Sequence, residues 1–320
     1  MLRNSHLGMS LPARAWLQRR TSTPIVLRMT TVLSEINFSP DVLLELPDGQ
    51  NIAMSDGGGV GAPVLFLHGA VTDHRIWRPH QQLIGQKFRP LAYTQRFHGI
   101  VNPVQNPPRY GVRTHSRDLI AVVEALRLGP VHLVAWSYAC HVAFYAALLR
   151  PDLFRGLFAY EPGFSSYIND ADALARFEQD ARSTFAPIFA AVGRGDTQRA
   201  LELLIESSTG EAGSFARQQP QLRTLELENA HTLESLLRQE PPPLISAEEL
   251  SRLQLPVAVG YGARTRPIYA ISSAAAQECL SRGLHFVVPG AGHLWPQEEP
   301  SEFADRLIDF LQEASAAKVG

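Results

Sequence analysis

A serine at the junction of two sequence patterns gives this chain its strongest indication of chemistry. Ser137 follows the continuous apolar run of residues 131–135, which is typical of a buried strand, and a helical pattern begins directly after it. The residues two positions away on each side, Ala135 and Ala139, are small, as a sharp strand-to-helix turn requires. A hydroxyl at such a turn is exposed near the positive end of a helix dipole. Ser137 is therefore predicted to be a nucleophile; the alternative is an ordinary helix N-cap, a role that serine favours.

A histidine near the end of the chain can supply the base for this serine. His293 follows the apolar run of residues 284–288 through Gly290, Ala291 and Gly292, a flexible run that allows the imidazole to turn back over the sheet edge. Serine needs an adjacent base to become nucleophilic. The other histidines have no comparable context and no metal-ligand spacing such as His-Glu-x-x-His, so no metal site is predicted.

Short apolar runs alternate with helical patterns along most of the chain. A hairpin is predicted around the turn signal Pro47-Asp48-Gly49, and buried strands are predicted at residues 64–67, 89–93, 131–135, 157–160, 257–261 and 284–288. Apolar residues at helical spacing predict helices at residues 116–127, 138–149 and around 303–311. Strands that alternate with helices form parallel sheets with right-handed crossovers. The predicted fold class is therefore α/β, with a mostly parallel central sheet flanked by helices.

The alternation stops between Phe164 and about Leu253. This stretch contains helical segments at residues 174–189 and 197–205 and little strand signal, and we interpret it as a helical cap inserted into the sheet domain. The predicted organisation has four parts: a leader at 1–38, a first core segment at 39–163, the cap at 164–246 and a second core segment at 247–320.

The composition argues against several classes of function. Of the 320 residues 45% are hydrophobic, enough for one large core with an insertion, and the formal net charge of -2 supplies no broad positive field for nucleic acid. The sequence has no apolar run of about 18 residues, the length that spans a membrane. Cys140 and Cys279 form no disulfide framework, so a reducing compartment, the cytoplasm, fits best. The expected partner is a small-molecule substrate.

The N-terminal segment has a composition of its own. No acidic residue precedes Glu35, whereas arginines stand among Ser, Thr and Leu at Arg3, Arg14, Arg19, Arg20 and Arg28. Such a composition is typical of an organelle transit segment. The alternative that we favour is that the folded protein begins near Met29 and that the preceding residues are a disordered leader or the product of a misassigned start.

Three features together resemble the α/β-hydrolase superfamily, of the serine-nucleophile, capped type. They are the serine turn, the strand end His68-Gly69 and the closing run from Pro289 to His293. The resemblance covers about residues 41–311, outside most of the cap. The chain departs from the commonest turn of the superfamily, which has Gly on either side of the serine.

The resemblance implies a role for several residues. Ser137 would be the nucleophile and His293 the base, and the backbone N–H groups of Tyr138 and Ala70 would form the oxyanion hole. No cofactor is implied. His68 would brace a loop at its strand end, with proton transfer as the less favoured alternative.

The third member of the expected triad is missing from its usual place. The superfamily usually carries an acid after the strand at residues 257–261, where this chain has Thr265, and a neutral hydroxyl cannot stabilise an imidazolium as a carboxylate does. Some members carry the acid one strand earlier, and there this chain has Glu161. The alternative is that Glu161 braces the cap hinge, with Asp170 or Asp172 of the cap as the acid or with no acid at all.

The residues around the serine predict an apolar or aromatic pocket, lined by Trp136 and Phe164. The resemblance then implies a cofactor-independent serine hydrolase of a small apolar or aromatic carboxylic ester or lactone. Carbon–carbon bond hydrolysis, haloperoxidase-type transfer, cofactor-free oxygenation and non-catalytic ligand binding stay open, the last favoured by Thr265. Dehalogenation and epoxide opening are disfavoured, because those relatives attack with Asp at the serine position.

Overall fold

The computed structural model describes residues 41–99, 104–280 and 283–316 of the chain. These residues belong to a unit that spans Phe38–Gly320. The predicted leader at 1–38, with Met29, lies outside the described residues.

Eight strands form one sheet in the order β1-β2-β4-β3-β5-β6-β7-β8. Strand β2 is antiparallel to both of its neighbours, and all other neighbouring pairs are parallel. The strands are β1 Val42–Glu45, β2 Asn51–Asp56, β3 Pro63–Leu67, β4 Arg89–Tyr93, β5 Val131–Trp136, β6 Phe154–Tyr160, β7 Val257–Gly262 and β8 Leu284–Val288. The predicted hairpin and the predicted mostly parallel sheet are confirmed.

Helices connect and cover these strands. They are α1 Arg78–Ile84, α2 Val112–Leu126, α3 Tyr138–Leu149, α4 Ala171–Gly193, α5 Thr197–Thr209, α6 Ser214–Arg217, α7 Pro220–Asn229, α8 Leu233–Leu237, α9 Ala247–Ser251, α10 Pro267–Cys279, α11 Trp295–Glu298 and α12 Pro300–Ala316. Helices α4 to α9 follow one another between β6 and β7; α4 to α8 lie within the predicted cap at 164–246, and α9 lies in the predicted second core segment. No helix within the described ranges is long and apolar enough to cross a membrane.

Strand β3 illustrates why the sheet carries helices on both faces. Leu65 and Leu67 pack with apolar residues of α2 and α3, whereas Val64 and Phe66 pack with residues of α1 and α12. Side chains alternate between the two faces of a strand, so a run of apolar residues buries itself only between two helical layers. All four side chains are fully buried, and each contributes about 1.5–3 kcal/mol to stability through the apolar surface removed from water.

Helix α3 has the bounds that the sequence predicts, and local chemistry explains them. It begins directly after Ser137 and ends at Leu149, two residues before Pro151. Arg150 has φ -140° and ψ 69°, outside the helical region, because the ring of the following proline clashes with a helical conformation there.

The parallel strands bring their carboxyl ends to one edge of the sheet. Ser137 follows β5, Glu161 follows β6, Thr265 follows β7 and His293 follows β8. Ligands of open α/β sheets bind at this edge, because the loops after the strands converge there.

Candidate active site

Ser137 stands on a strained turn between β5 and α3. Its backbone has φ 59° and ψ -125°, a conformation that residues with a side chain rarely adopt, and its N–H donates to the carbonyl of Tyr160 at 2.9 Å. The side chain makes no capping hydrogen bond to α3. Ala135 and Ala139 are fully buried on either side of the turn. The geometry is that of a presented hydroxyl and argues against the N-cap alternative.

A hydrogen-bonded chain joins three residues at the sheet edge. The Ser137 Oγ lies 3.0 Å from Nε2 of His293, and Nδ1 of His293 lies 2.6 Å from Oε2 of Glu161. Glu161 is fully buried and His293 is 4% exposed, so water does not compete for the inner link. In the arrangement that satisfies both contacts, the serine hydroxyl donates to Nε2 and the Nδ1–H donates to the carboxylate.

Thr265 lies where the superfamily usually carries the acid, and it contacts the carboxyl group of Glu161. Its hydroxyl donates to Oε2 of Glu161 at 2.8 Å, and the backbone N–H of Gly262 donates to Oε1 at 2.8 Å. Together with His293, these groups give the buried carboxylate three donors. Asp170, one of the alternative acids, accepts from the backbone of Ala173 at 2.7 Å and caps α4 instead.

The loop that carries His293 is fixed from three sides. The indole N–H of Trp136 donates to the carbonyl of His293 at 2.9 Å, and the hydroxyl of Tyr160 donates to the carbonyl of Gly292 at 2.8 Å. The ring of Tyr269 stacks on the imidazole, with 3.7 Å between ring centroids and 12° between planes. Sequence analysis did not single out Tyr269, because a tyrosine in α10 carries no signal that it will meet a loop after β8.

His68 braces the ends of β3 and β4. Its Nε2 accepts from the backbone N–H of Gln95 at 2.9 Å, and its carbonyl accepts from the Gln95 side-chain amide at 2.6 Å. Burial lowers the pKa of His68 to about 4, which keeps the imidazole neutral. These contacts match the predicted bracing role.

Ala70 and Tyr138, the predicted oxyanion residues, line the same cavity as Ser137. Neither backbone N–H donates a hydrogen bond to any of the described residues. The Tyr138 hydroxyl points elsewhere and bonds Nδ1 of His115 at 2.9 Å. The two amides are therefore available to a ligand at the serine.

Cys140 lies one turn into α3 and is fully buried. Its thiol donates to the carbonyls of Ala135 at 3.4 Å and Tyr160 at 3.3 Å. Burial raises the pKa of this thiol far above its usual range, so it stays protonated and unreactive.

A cavity of about 290 Å³ opens at Ser137. Trp136 and Phe164 both line it, as predicted. Helices α4, α5 and α7 supply further walls, including Phe185 and Phe189 of α4, aromatic residues whose helical spacing in the sequence favours a core role over a pocket role. The wall also contains Glu226 of α7. This residue lies far in sequence from the other site residues, so the sequence did not indicate that it belongs to the site.

A comparison with known protein families identifies the family of this chain. Residues 64–306 match the model of the alpha/beta hydrolase family. The chain belongs to this family. Among solved structures, an esterase from Rhodococcus sp. ECU1013 has the same fold, with a TM-score of 0.69 and 19% identity over 85% of this chain and 98% of that one. An esterase from Thermogutta terrifontis has a TM-score of 0.66 and 22% identity over 86% of this chain and 99% of that one.

Curated relatives match over shorter stretches. An epoxide hydrolase from Caballeronia sordidicola is 30% identical over 107 residues, 33% of this chain and 32% of the relative. The 2-(acetamidomethylene)succinate hydrolase of Mesorhizobium japonicum is 28% identical over 120 residues, 38% of this chain and 41% of the relative. The matches thus span well under half of the length of these relatives.

Proposed function

We propose that this protein is a serine hydrolase that acts on a small apolar or aromatic carboxylic ester or lactone. The observation that carries the proposal is the hydrogen-bonded chain from Glu161 through His293 to Ser137, which ends at a largely apolar cavity. A serine becomes nucleophilic when a base accepts its proton and a third group orients that base.

In the first half-reaction the Ser137 Oγ attacks the substrate carbonyl while Nε2 of His293 takes the hydroxyl proton. The imidazolium that forms is stabilised by the Glu161 carboxylate, and the carbonyl oxygen becomes an oxyanion that accepts from the N–H groups of Ala70 and Tyr138. His293 then gives its proton to the leaving alcohol as the carbon–oxygen bond breaks. The product is an acyl-enzyme on Ser137.

In the second half-reaction a water molecule replaces the alcohol. His293 takes a proton from the water as the water oxygen attacks the acyl carbon, and the proton returns to Oγ when the acyl bond to Ser137 breaks. A carboxylic acid and the free enzyme result.

Relatives named as a hydrolase or as esterases favour this class of reaction. The epoxide hydrolase named above would favour attack on an epoxide instead. A serine at the turn, rather than an aspartate, favours acyl transfer, because serine attack on a carbonyl forms an ester that water can cleave, whereas serine attack on an epoxide would form an ether that water does not cleave.

A panel of p-nitrophenyl esters of graded acyl length, assayed beside a set of lactones, tests this proposal. We expect hydrolysis well above the uncatalysed rate for at least one member, with a preference set by how the acyl group fills the cavity. Ser137→Ala is the control and should lower kcat by about 10³-fold or more. An absence of turnover across the panel by folded wild-type protein would contradict the proposal.

A further inference from the structure

The wall of the cavity contains one buried carboxyl group that the proposed reaction does not use. Glu226 lies in α7, within the predicted cap, and is fully buried. It lines the same cavity as Ser137 and His293. An acidic side chain is almost never fully buried unless a partner compensates its charge.

The hydrogen bonds of Glu226 use one oxygen and leave the other. Oε1 accepts from the side-chain amides of Gln218 at 3.2 Å and Gln297 at 3.4 Å. Oε2 is buried and has no hydrogen-bond partner among the described residues. The two amide donors support the ionised form of the carboxyl group, because an N–H donor stabilises the carboxylate more than the neutral acid.

Glu226 has no Lys or Arg as a counter-ion among the described residues that line the cavity. Burial raises the pKa of Glu226 to about 7 in spite of the two amide donors, as expected for a carboxyl group that lacks a cation. Gln239 lines the same cavity, and its Oε1 is also buried without a partner among the described residues. The polar part of the wall thus contains two hydrogen-bond acceptors that have no donor among the described residues.

We propose that Glu226 binds a protonated amine of the substrate, so that the preferred substrates combine an apolar body with one ammonium group. An ammonium group supplies both the missing positive charge and a donor for Oε2. The apolar walls would hold the hydrocarbon part, and Ser137 would meet the ester or lactone carbonyl. The inference rests on the proposed function in describing the ligand as a substrate, but its binding step needs no turnover.

Calorimetric titration with three six-carbon compounds tests the inference. Hexylammonium, hexanol and hexanoate each contain six carbon atoms in an unbranched chain and differ in charge and hydrogen-bonding capacity. They are titrated at pH 7.5 into full-length Ser137→Ala protein, which keeps the cavity and removes the nucleophile. The measurement is repeated with Glu226→Gln added, and with Glu228→Gln added as the matched control. Glu228 lies on the same helix, does not line the cavity, and pairs with Arg75 at 2.6 Å.

We expect hexylammonium to bind at least about 10-fold more tightly than hexanoate, the size of effect that a charge-assisted hydrogen bond gives. Glu226→Gln should remove this preference and change hexanol affinity by less than about 3-fold, whereas Glu228→Gln should preserve the preference. Equal affinities for hexylammonium and hexanoate, or a preference that survives Glu226→Gln, would overturn the inference. If Glu226→Gln does not fold, the ratio of the two affinities in the Ser137→Ala protein decides by itself. A failed ester assay would overturn the proposed reaction without touching this result.

Discussion

Three donors surround the carboxylate of Glu161, which has no access to water. They come from three places in the chain: the backbone of Gly262 at the end of β7, the hydroxyl of Thr265 and the imidazole of His293. A buried carboxylate is tolerated when its lone pairs are used in this way. Oε2 serves Thr265 and His293 together, so the threonine hydroxyl also fixes the oxygen that faces the imidazole.

Replacing Glu161 by Gln tests this arrangement. The amide keeps the shape but removes the charge, so we expect kcat to fall by at least about 10²-fold with little change in KM, because the lost interaction strengthens in the transition state. Steady-state kinetics on the best ester of the panel measures both constants. Thr265→Asp in the Glu161→Gln background should restore part of the rate, since the Thr265 hydroxyl lies at hydrogen-bond distance from Oε2 of Glu161, the oxygen that contacts His293.

Two substitutions serve as controls for that experiment. Thr265→Ala removes one hydrogen bond from the carboxylate and should cost less than about 10-fold in kcat. Asp170→Asn keeps the cap of α4 and should leave kcat unchanged. A Glu161→Gln enzyme with normal kcat would reduce Glu161 to a structural brace.

Glu226 predicts a pH dependence of stability that is independent of any reaction. Its pKa rises from an ordinary value of 4.5 to about 7 in the folded protein, so the folded state holds the proton more tightly than the unfolded state. The stability gained from this proton is present below pH 4.5 and is lost as the pH rises through 7. The loss is on the order of 3 kcal/mol for a shift of this size.

Glu226→Gln cannot ionise and should therefore escape that loss. Urea unfolding of the variant and the wild-type protein at pH 5 and pH 8.5 measures the difference. We expect the free energy of unfolding of the variant, relative to that of the wild-type protein, to be higher at pH 8.5 than at pH 5. Parallel stability curves for the two proteins would show that Glu226 has an ordinary pKa.

At the scale of elements, the ends of β7 and β8 must approach closely to bring the acid and the base together. A Cβ at Gly262 would lie 2.3 Å from the carbonyl oxygen of Ala291, a contact that backbone atoms cannot relieve without moving. Glycine at this position thus allows the loop that carries His293 to lie against the end of β7, where the Gly262 N–H donates to Glu161.

Gly262→Ala should accordingly destabilise the fold by about 1–3 kcal/mol, as overpacking does, and lower kcat because the two loops separate. Gly292→Ala is the matched control for stability, because a Cβ there meets no atom within 4 Å. Thermal unfolding of both variants checks this prediction. Equal melting temperatures would show that the contact between the strand ends is easily relieved.

Much of this element layout was predictable because apolar residues specify it. The strand runs and α3 follow from continuous hydrophobic segments and from Pro151. Helix α2 begins at Val112, four residues before the predicted start, because its first turn buries polar residues, Thr114 and His115, that break the apolar pattern. The hydrogen bond between His115 and the Tyr138 hydroxyl compensates the burial of the imidazole, and a pairing over such a sequence distance leaves no local signal.

The candidate site also contains both residues that the sequence predicts and residues that it does not predict. Ser137, His293 and Glu161 were predictable because each follows a recognisable strand or resembles a family motif. Tyr269 and Glu226 were not, because their importance comes from contacts between elements that are far apart in the chain.

At the scale of the whole molecule, the residues of the candidate site all belong to the unit that spans Phe38–Gly320. The sequence predicts that residues 164–246 form a separate cap domain. Helices α4, α5 and α7 of this stretch supply part of the cavity wall. Substrate preference is therefore expected to depend on this insertion, and the chemical step on the sheet edge.

Deletion of residues 1–28 should leave kcat and the melting temperature nearly unchanged. The sequence of this segment predicts no apolar face wide enough to dock on a core, and it contains arginines with no acidic residue among them. Steady-state kinetics and thermal unfolding of the truncated chain measure both quantities. Loss of soluble protein after the deletion would indicate that the segment packs on the fold.

Fluorophosphonate labelling of full-length protein, with the modified residue located by peptide mass spectrometry, tests the central claim most directly. The probe reacts rapidly only with a serine that a neighbouring base activates. We predict one label per chain, located on Ser137, and none on a folded Ser137→Ala variant that has lost about 10³-fold or more of kcat. An unlabelled wild-type protein, or a Ser137→Ala variant that keeps more than about a tenth of kcat, would contradict the assignment of Ser137 as the nucleophile.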